Sequence, residues 1–267
     1  MSIVFDRAVG YYDRTRGLPP EAEIGLSEAL REHTALGPGS RVLELGVGTG
    51  RIALPLVRYN RYRYVGVDLS AEMMRVLCDK REDLPVDLAR ADVAWLPFAA
   101  RSFAAVVAVH VFHLVGDWAR AMDEVQRVLR TGGMLLHGRS HHVEGSTIGE
   151  VRQKLTDLSG PSAERRDAGF LEWAQIKSEL AQRFGSPREC RTASWTVHST
   201  PRELLSHFQA RIWSQTWLLP ETTLKEAAQQ GRAWAIERFG SLDAALTSEQ
   251  QFVWEIYTKR VDHDARR

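Results

Sequence analysis

The chain has 267 residues, 44% of them apolar, enough for one large α/β domain with elaborations or for two small domains. A formal net charge of +1 gives no electrostatic footprint for nucleic acid or for an acidic membrane surface. The only cysteines, Cys78 and Cys190, form no CxxC pair, which argues against a disulfide framework and a cysteine-rich zinc site.

No basic start followed by an apolar run marks a signal peptide, and no apolar stretch approaches the roughly 18 residues that cross a membrane. The expectation is a soluble, cytoplasmic monomer or homodimer with no membrane partner. Residues 1–36 read as an N-terminal arm and helix. The arm mixes aromatics with charge, Phe5-Asp6-Arg7 and Tyr11-Tyr12-Asp13-Arg14-Thr15-Arg16, and is either packed on the domain or a lid. After Pro19-Pro20, the spacing of Ala22, Leu26, Ala29, Leu30 and His33 predicts a helix, which Gly37-Pro38-Gly39 ends. Arg41 to Leu45 is a buried strand, followed by glycines at 46, 48 and 50 and a helix to about Tyr59 that Pro55 should distort. Arg63 to Val67, closing on Asp68, is the second strand. Ser70 caps the next helix, with Met73, Met74 and Leu77 inward. Asp87 to Arg90 leads to Ala91-Asp92-Val93 and a loop over 94–102, and Ala104 to Val109 is a fully buried strand. Asp117 caps a helix with Ala121, Val125, Val128 and Leu129 inward; Thr131-Gly132-Gly133 stops it before a strand from Met134 to Arg139.

This alternation over 37–140 predicts a Rossmann-like, mostly parallel, seven-stranded α/β sheet with helices on both faces. Ligands of such sheets sit beyond the carboxyl ends of the strands, where Glu44, Asp68, Asp92 and His110 all fall. Residues 141–190 read as a helical cap insertion over those ends, with helices near 146–158 and 169–184, and 191–267 as the part completing the sheet. There, Cys190 to His198, Ile212 to Leu218 and Phe252 to Thr258 read as strands. Thr200-Pro201-Arg202-Glu203 and Thr223 to Glu226 read as capping boxes.

The glycine turn admits two ligand classes. A dinucleotide site needs GxGxxG, but the third glycine position is Arg51, and the spacing is GxGxG. With Glu44 two residues before Gly46, Asp68 ending the second strand, and Ala91-Asp92-Val93 followed by Leu96-Pro97-Phe98, the chain resembles class I S-adenosylmethionine-dependent methyltransferases of the small-molecule type called methyltransferase domain 11. The resemblance covers about 5–139 well and 200–257 weakly. Ser102-Phe103-Ala104 departs from the family's usual Ser-Phe-Asp. It implies S-adenosylmethionine as cofactor, with Gly46, Gly48 and Gly50 along its methionine part and Glu44 orienting that loop. Asp68 would hold the ribose hydroxyls, with Leu69 against the adenine and Met73 also among the cofactor-binding residues. Asp92 and the Val93 N–H would read the adenine, and the His110 carbonyl would take the ammonium. Tyr12 and Arg16 would hold the carboxylate end if the arm folds over.

Methyl transfer from a sulfonium is an in-line displacement in which the protein supplies position and, for some acceptors, a base. His110, His113 and His141, with His142, are the candidate bases, each with a packed or solvated alternative. No acid sits at metal-ligand spacing beside these histidines or His137, so no metal is expected. Tryptophans 173, 195, 213, 217, 234 and 254 suit either an aromatic substrate chamber or a core. The expected function is methyl transfer to a small molecule. The alternatives are an RNA methyltransferase, a non-catalytic cofactor-binding protein and an NAD-dependent oxidoreductase.

Overall fold

The computed structural model describes residues 4–160 and 173–259. A short 3₁₀ turn, Asp6–Ala8, and helix α1 (Tyr12–Arg16) form the arm, and α2 (Pro20–His33) follows. Strand β1 (Arg41–Leu45), α3 (Ala53–Asn60), β2 (Arg63–Asp68), α4 (Ala71–Lys80), β3 (Val86–Arg90), β4 (Phe103–Val109), α5 (Trp118–Val128) and β5 (Leu129–His142) then alternate. The rest comprises α6 (Thr147–Ser159), α7 (Trp173–Phe184), β6 (Arg188–Ser199), α8 (Pro201–Gln209), α9 (Glu221–Phe239) and β7 (Leu246–Thr258).

The seven strands lie in the order β3-β2-β1-β4-β5-β7-β6. Strand β1 pairs in parallel with β2 and β4, β2 with β3, and β4 with β5. The sheet is mostly parallel, as the alternation requires, with antiparallel strands completing it. Order reverses around β1, between β2 and β4, and that switch point opens a crevice at the strand ends.

The chain divides into two compact units. The first comprises Met1–Arg139, Gly169–Ala193 and Phe252–Arg267; the second comprises Ser140–Ala168 and Ser194–Gln251. In the first, Leu43, Leu45, Val67, Val106 and Ala108 bury one sheet face against Val125 and Val128 of α5 and Ile176, Leu180 and Phe184 of α7. Strand alternation turns Trp254 the other way, and its indole Nε1–H donates to the Leu26 carbonyl of α2 at 3.0 Å. The buried His137–Glu255 pair, at 3.0 Å, belongs to this unit's core. In the second unit α6, α8 and α9 share a core of Leu155, Leu205, Phe208, Trp213 and Ala228. A Cβ on Gly231 of α9 would lie 2.5 Å from the Leu155 side chain, so glycine permits that close helix crossing.

Several expectations change. Residues 141–190 are not one cap: α6 belongs to the second unit, whereas α7 is a core helix of the first, because Ile176, Leu180 and Phe184 form an apolar face at helical spacing. Residues 169–172 of the expected helix lie outside the described residues. Ile212 to Leu218 is not a strand. It holds a 3₁₀ turn, Ser214–Thr216, in which Thr216 donates its hydroxyl to the Trp213 carbonyl. Helix α9 starts at Glu221 behind Pro220 with no side-chain cap, so Thr223 sits inside its first turn. Pro55 is the third residue of α3; Leu54 and Leu56 donate to the Gly50 and Ile52 carbonyls at 3.0 and 3.2 Å, and the bond between them is the one proline leaves unmade, as expected. His33 ends α2 exposed, whereas Ser27 is buried and donates to the Glu23 carbonyl. Trp213 and Trp254 pack cores, as their burial shows. The box at Thr200 forms as expected, with Glu203 reaching back to the Thr200 N–H at 3.0 Å.

Candidate active site

A crevice of about 610 Å³, open solvent included, lies at the ends of β1, β2 and β4. Gly46, Gly48, Asp68, Leu69, Met73, Asp92, Val93 and His110 all line it, together with Tyr12 from the arm. Phe5, Ala91, Val109, Val111, Leu114 and Val115 complete the wall. Of these last six, only Phe5 and Ala91 fall in motifs that the sequence singles out; the other four are apolar residues that no sequence pattern flags.

The glycine turn is tied down by its own N–H groups. Gly46 and Val47 donate to the Val67 carbonyl at 2.8 and 3.0 Å, and Gly48 donates to Asp68 Oδ2 at 2.8 Å. The turn therefore offers room rather than those donors. Gly48 has φ +53°, and a Cβ there would meet nothing nearer than 3.6 Å, in the space of the pocket itself.

Gly50 differs. It does not line the pocket; at φ +82° its added Cβ would lie 2.9 Å from Leu77 Cγ and 3.1 Å from Leu54 Cγ. Gly50 thus brings the turn close to the side chains of α4 and α3. Gly50→Ala is expected to cost about 1–3 kcal/mol, from strained backbone and overpacking together. A urea midpoint equal to the parent's would contradict that packing role.

Asp68 closes β2. Its Oδ1 accepts from the Ser70 N–H at 2.8 Å while Oδ2 holds Gly48. Burial raises its pKa, against the backbone N–H groups of Ser70, Gly48 and Leu69, which lower it. With three backbone N–H groups on it, the carboxylate keeps part of its acceptor capacity for a ligand hydroxyl. Asp92 turns back on its loop, with Oδ1 accepting from the Ala94 N–H at 2.9 Å.

Glu44 lies behind the turn, 2% exposed and outside the lining. The Tyr64 hydroxyl donates to its Oε2 at 2.9 Å. Burial pushes the Glu44 carboxyl up to about 8, although the Tyr64 bond and Arg51 oppose the rise. His110 follows β4 with φ +51°. Burial first, then Arg51 and His113, holds its pKa well below the ordinary imidazole value, so it is neutral at pH 7. His113 sits half-buried in the 3₁₀ turn Phe112–Leu114 and is not a lining residue. His141 belongs to the second unit, near the end of β5. Arg16 is also outside the lining; its carbonyl accepts from Arg51 Nη1 at 3.0 Å, and burial lowers its pKa.

The arm is latched to the glycine turn and to α4 with its cap. Thr49 Oγ1 donates to Asp13 Oδ1 at 2.5 Å, Lys80 Nζ reaches Asp13 Oδ2 at 2.8 Å, and Ser70 Oγ donates to Asp6 Oδ1 at 2.5 Å. Phe5 and Tyr12 meet edge to face, 6.2 Å between centroids. The exposed Lys80 pair adds little, but Thr49 is 1% exposed and would lose its acceptor. Asp13→Ala is therefore expected to speed amide exchange over residues 5–18 several-fold while β1 and β4 stay protected. Unchanged exchange over 5–18 would show that Asp13 is not the latch.

Among known families, the methyltransferase-domain model matches residues 43–137. An uncharacterized methyltransferase of Mycobacterium bovis is 34% identical over 218 residues, 81% of this chain and 79% of that one. Phthiotriol/phenolphthiotriol dimycocerosates methyltransferase 1 of Mycobacterium ulcerans is 37% identical over 144 residues, 53% of this chain and 51% of its own. Among solved structures, a putative methyltransferase of Bacillus halodurans aligns with a TM-score of 0.57 at 15% identity, covering 88% of this chain and 99% of that one. Phosphoethanolamine N-methyltransferase 2 of Haemonchus contortus, solved with phosphomonomethylethanolamine and S-adenosylhomocysteine, aligns with a TM-score of 0.52 at 19% identity over 96% of this chain and 58% of its own. A relative alike over four-fifths of the chain, the matched domain and the shared fold agree: the chain belongs to the methyltransferase-domain family, as a class I S-adenosylmethionine-dependent methyltransferase.

Proposed function

We propose that this chain binds S-adenosylmethionine in the crevice at the ends of β1, β2 and β4 and transfers its methyl group to a small-molecule acceptor. The observation that carries the reading is the pocket's acceptor set: two carboxylates, Asp68 and Asp92, beside a glycine turn whose N–H groups at 46, 47 and 48 are already used. A pyrophosphate needs free N–H groups and no nearby anion. A phosphate-free adenosyl ligand with cationic groups suits this lining better.

When bound, the cofactor supplies a methyl group already activated on a sulfonium. The chain's own residues bind, orient and exclude water. Asp68 accepts from the ribose hydroxyls, and Leu69 and Met73 cover the adenosine. Asp92 accepts from the adenine amino group, and the Val93 N–H reaches a ring nitrogen. Gly46 and Gly48 make room for the methionine part. The His110 carbonyl takes the ammonium, and Glu44 acts on the same group from behind the turn. Tyr12 and Phe5 close the wall, with Arg16 behind them as the cation for the carboxylate end.

The neutral His110 imidazole is a proton acceptor at the pocket wall for an acceptor that loses a proton on methylation. His113, in the turn that follows His110, is a further candidate for that role. Residues 1–36 serve as a lid. The Mycobacterium ulcerans relative is named for phthiotriol and phenolphthiotriol dimycocerosates, which supports a small molecule rather than RNA.

Calorimetry with S-adenosylhomocysteine and NAD tests the first half: binding of the former alone is expected, and binding of NAD alone would overturn the reading. Label from methyl-labelled cofactor should then appear in a small-molecule fraction of a metabolite extract. Label confined to RNA would favour an RNA methyltransferase.

A further inference from the structure

The segment 91–102, which carries Asp92 and Val93, lies outside any strand, yet its backbone is bound as if it were one. Carbonyls at alternate residues accept from guanidinium groups of α5. Ala94 accepts from Arg120 Nε at 3.0 Å, Leu96 from Arg127 Nη2 at 3.0 Å and Phe98 from Arg127 Nη1 at 2.6 Å. The Leu96 N–H donates to Glu124 Oε2 at 2.8 Å. Residues 120, 124 and 127 follow one another along a single helix face. Glu124 also grips Arg127 twice, at 2.7 and 2.8 Å. Arg127 holds the Glu124 carboxyl below the ordinary carboxylate range, so the pair is ionised at neutral pH. Arg120 stacks its guanidinium 3.2 Å above the Trp95 ring, and the Trp95 N–H closes the turn onto the Asp92 carbonyl at 2.9 Å. No residue of α5 lines the pocket.

We propose that Glu124, Arg127 and Arg120 are positioning residues for the adenine end of the pocket: they fix where Asp92 and Val93 stand, and so set the preference for adenine over a purine lacking the exocyclic amino group. This rests on the reading that the pocket holds an adenosyl cofactor. A lysine at 127 cannot span two carbonyls as the planar guanidinium fork does, so its loss should let the Asp92 turn shift relative to the rest of the pocket. Asp68 and the glycine turn are held by different bonds and should stay in place.

The test is calorimetry on the full chain with S-adenosylhomocysteine and S-inosylhomocysteine. The parent should prefer the adenosyl compound. Arg127→Lys should bind it roughly tenfold more weakly, the scale of a lost hydrogen bond, with little change for the inosyl compound, so the preference collapses. Adding Asp92→Ala to Arg127→Lys should cost no more than Asp92→Ala alone. Glu124→Gln, which keeps an acceptor for the Leu96 N–H but loses the ion pair, should act in the same direction and serves if Arg127→Lys fails to fold. A variant that melts earlier yet keeps the parent's preference, or losses that add in the double variant, would reduce the clamp to a stability device and overturn the proposal. A parent that binds neither compound would overturn the cofactor reading itself.

Discussion

Asp68→Ala should weaken S-adenosylhomocysteine binding by at least tenfold, and by a hundredfold or more if both ribose hydroxyls bond to the carboxylate. Charge-assisted hydrogen bonds contribute about 1.5–3 kcal/mol each, and roughly 1.4 kcal/mol is a factor of ten. The effect has two sources. Removing the carboxylate deletes the ligand's acceptor, and it also frees the Gly48 N–H that Oδ2 holds at 2.8 Å, loosening the turn. An analogue lacking the ribose hydroxyls separates them. The parent should bind the analogue far more weakly than S-adenosylhomocysteine. Asp68→Ala should bind the two alike, because it has lost the group that tells them apart. A variant that still discriminates as strongly as the parent would remove Asp68 from hydroxyl recognition and leave it as the tether of the glycine turn.

The first half of the molecule was legible because its signals are local and periodic. The apolar run of β1, the glycines at 46, 48 and 50 and the helix after them lie within twenty residues, and their pattern changes from strand to helix period. Ser70, Asp117 and Thr200 announce helix starts within three residues of the N–H groups they cap. What was not legible is long-range. Asp13 finds Thr49 across 36 residues, and Arg127 finds Leu96 across 31; neither pairing leaves a periodic trace. The same limit explains Gly50, whose spacing equals that of its pocket-lining neighbours although it packs against Leu77. It also explains Ile212 to Leu218, where apolar residues that read as a strand wrap a turn around the buried Thr216. Helix α7 was read as part of a cap because its place in the sequence, after β5, says nothing of which core takes its apolar face.

Glu44 should make the protein lose stability as pH rises, the reverse of the usual carboxylate effect. Its folded pKa is about 8, against an ordinary value of 4.5. Between those values the native state holds a proton that the unfolded chain has released, so stability falls with pH across that window. Above pH 8 both states are ionised and the loss levels off; below pH 4.5 both are protonated and it vanishes. At about 1.4 kcal/mol per pH unit, the full span is on the order of 5 kcal/mol. Glu44→Gln keeps an oxygen for the Tyr64 hydroxyl and removes the titration. Its stability should therefore exceed the parent's most at pH 8 and converge with it near pH 4.5; denaturation curves that run parallel over this range would refute the raised pKa. The proton also reports on ligand contact. A ligand ammonium that draws on Glu44 favours the ionised form, so S-adenosylhomocysteine binding at pH 7 should release nearly one proton. Calorimetry in two buffers of different ionisation enthalpy measures this, and Glu44→Gln should abolish it. Binding without proton release from the parent would leave Glu44 a structural partner of Tyr64 alone.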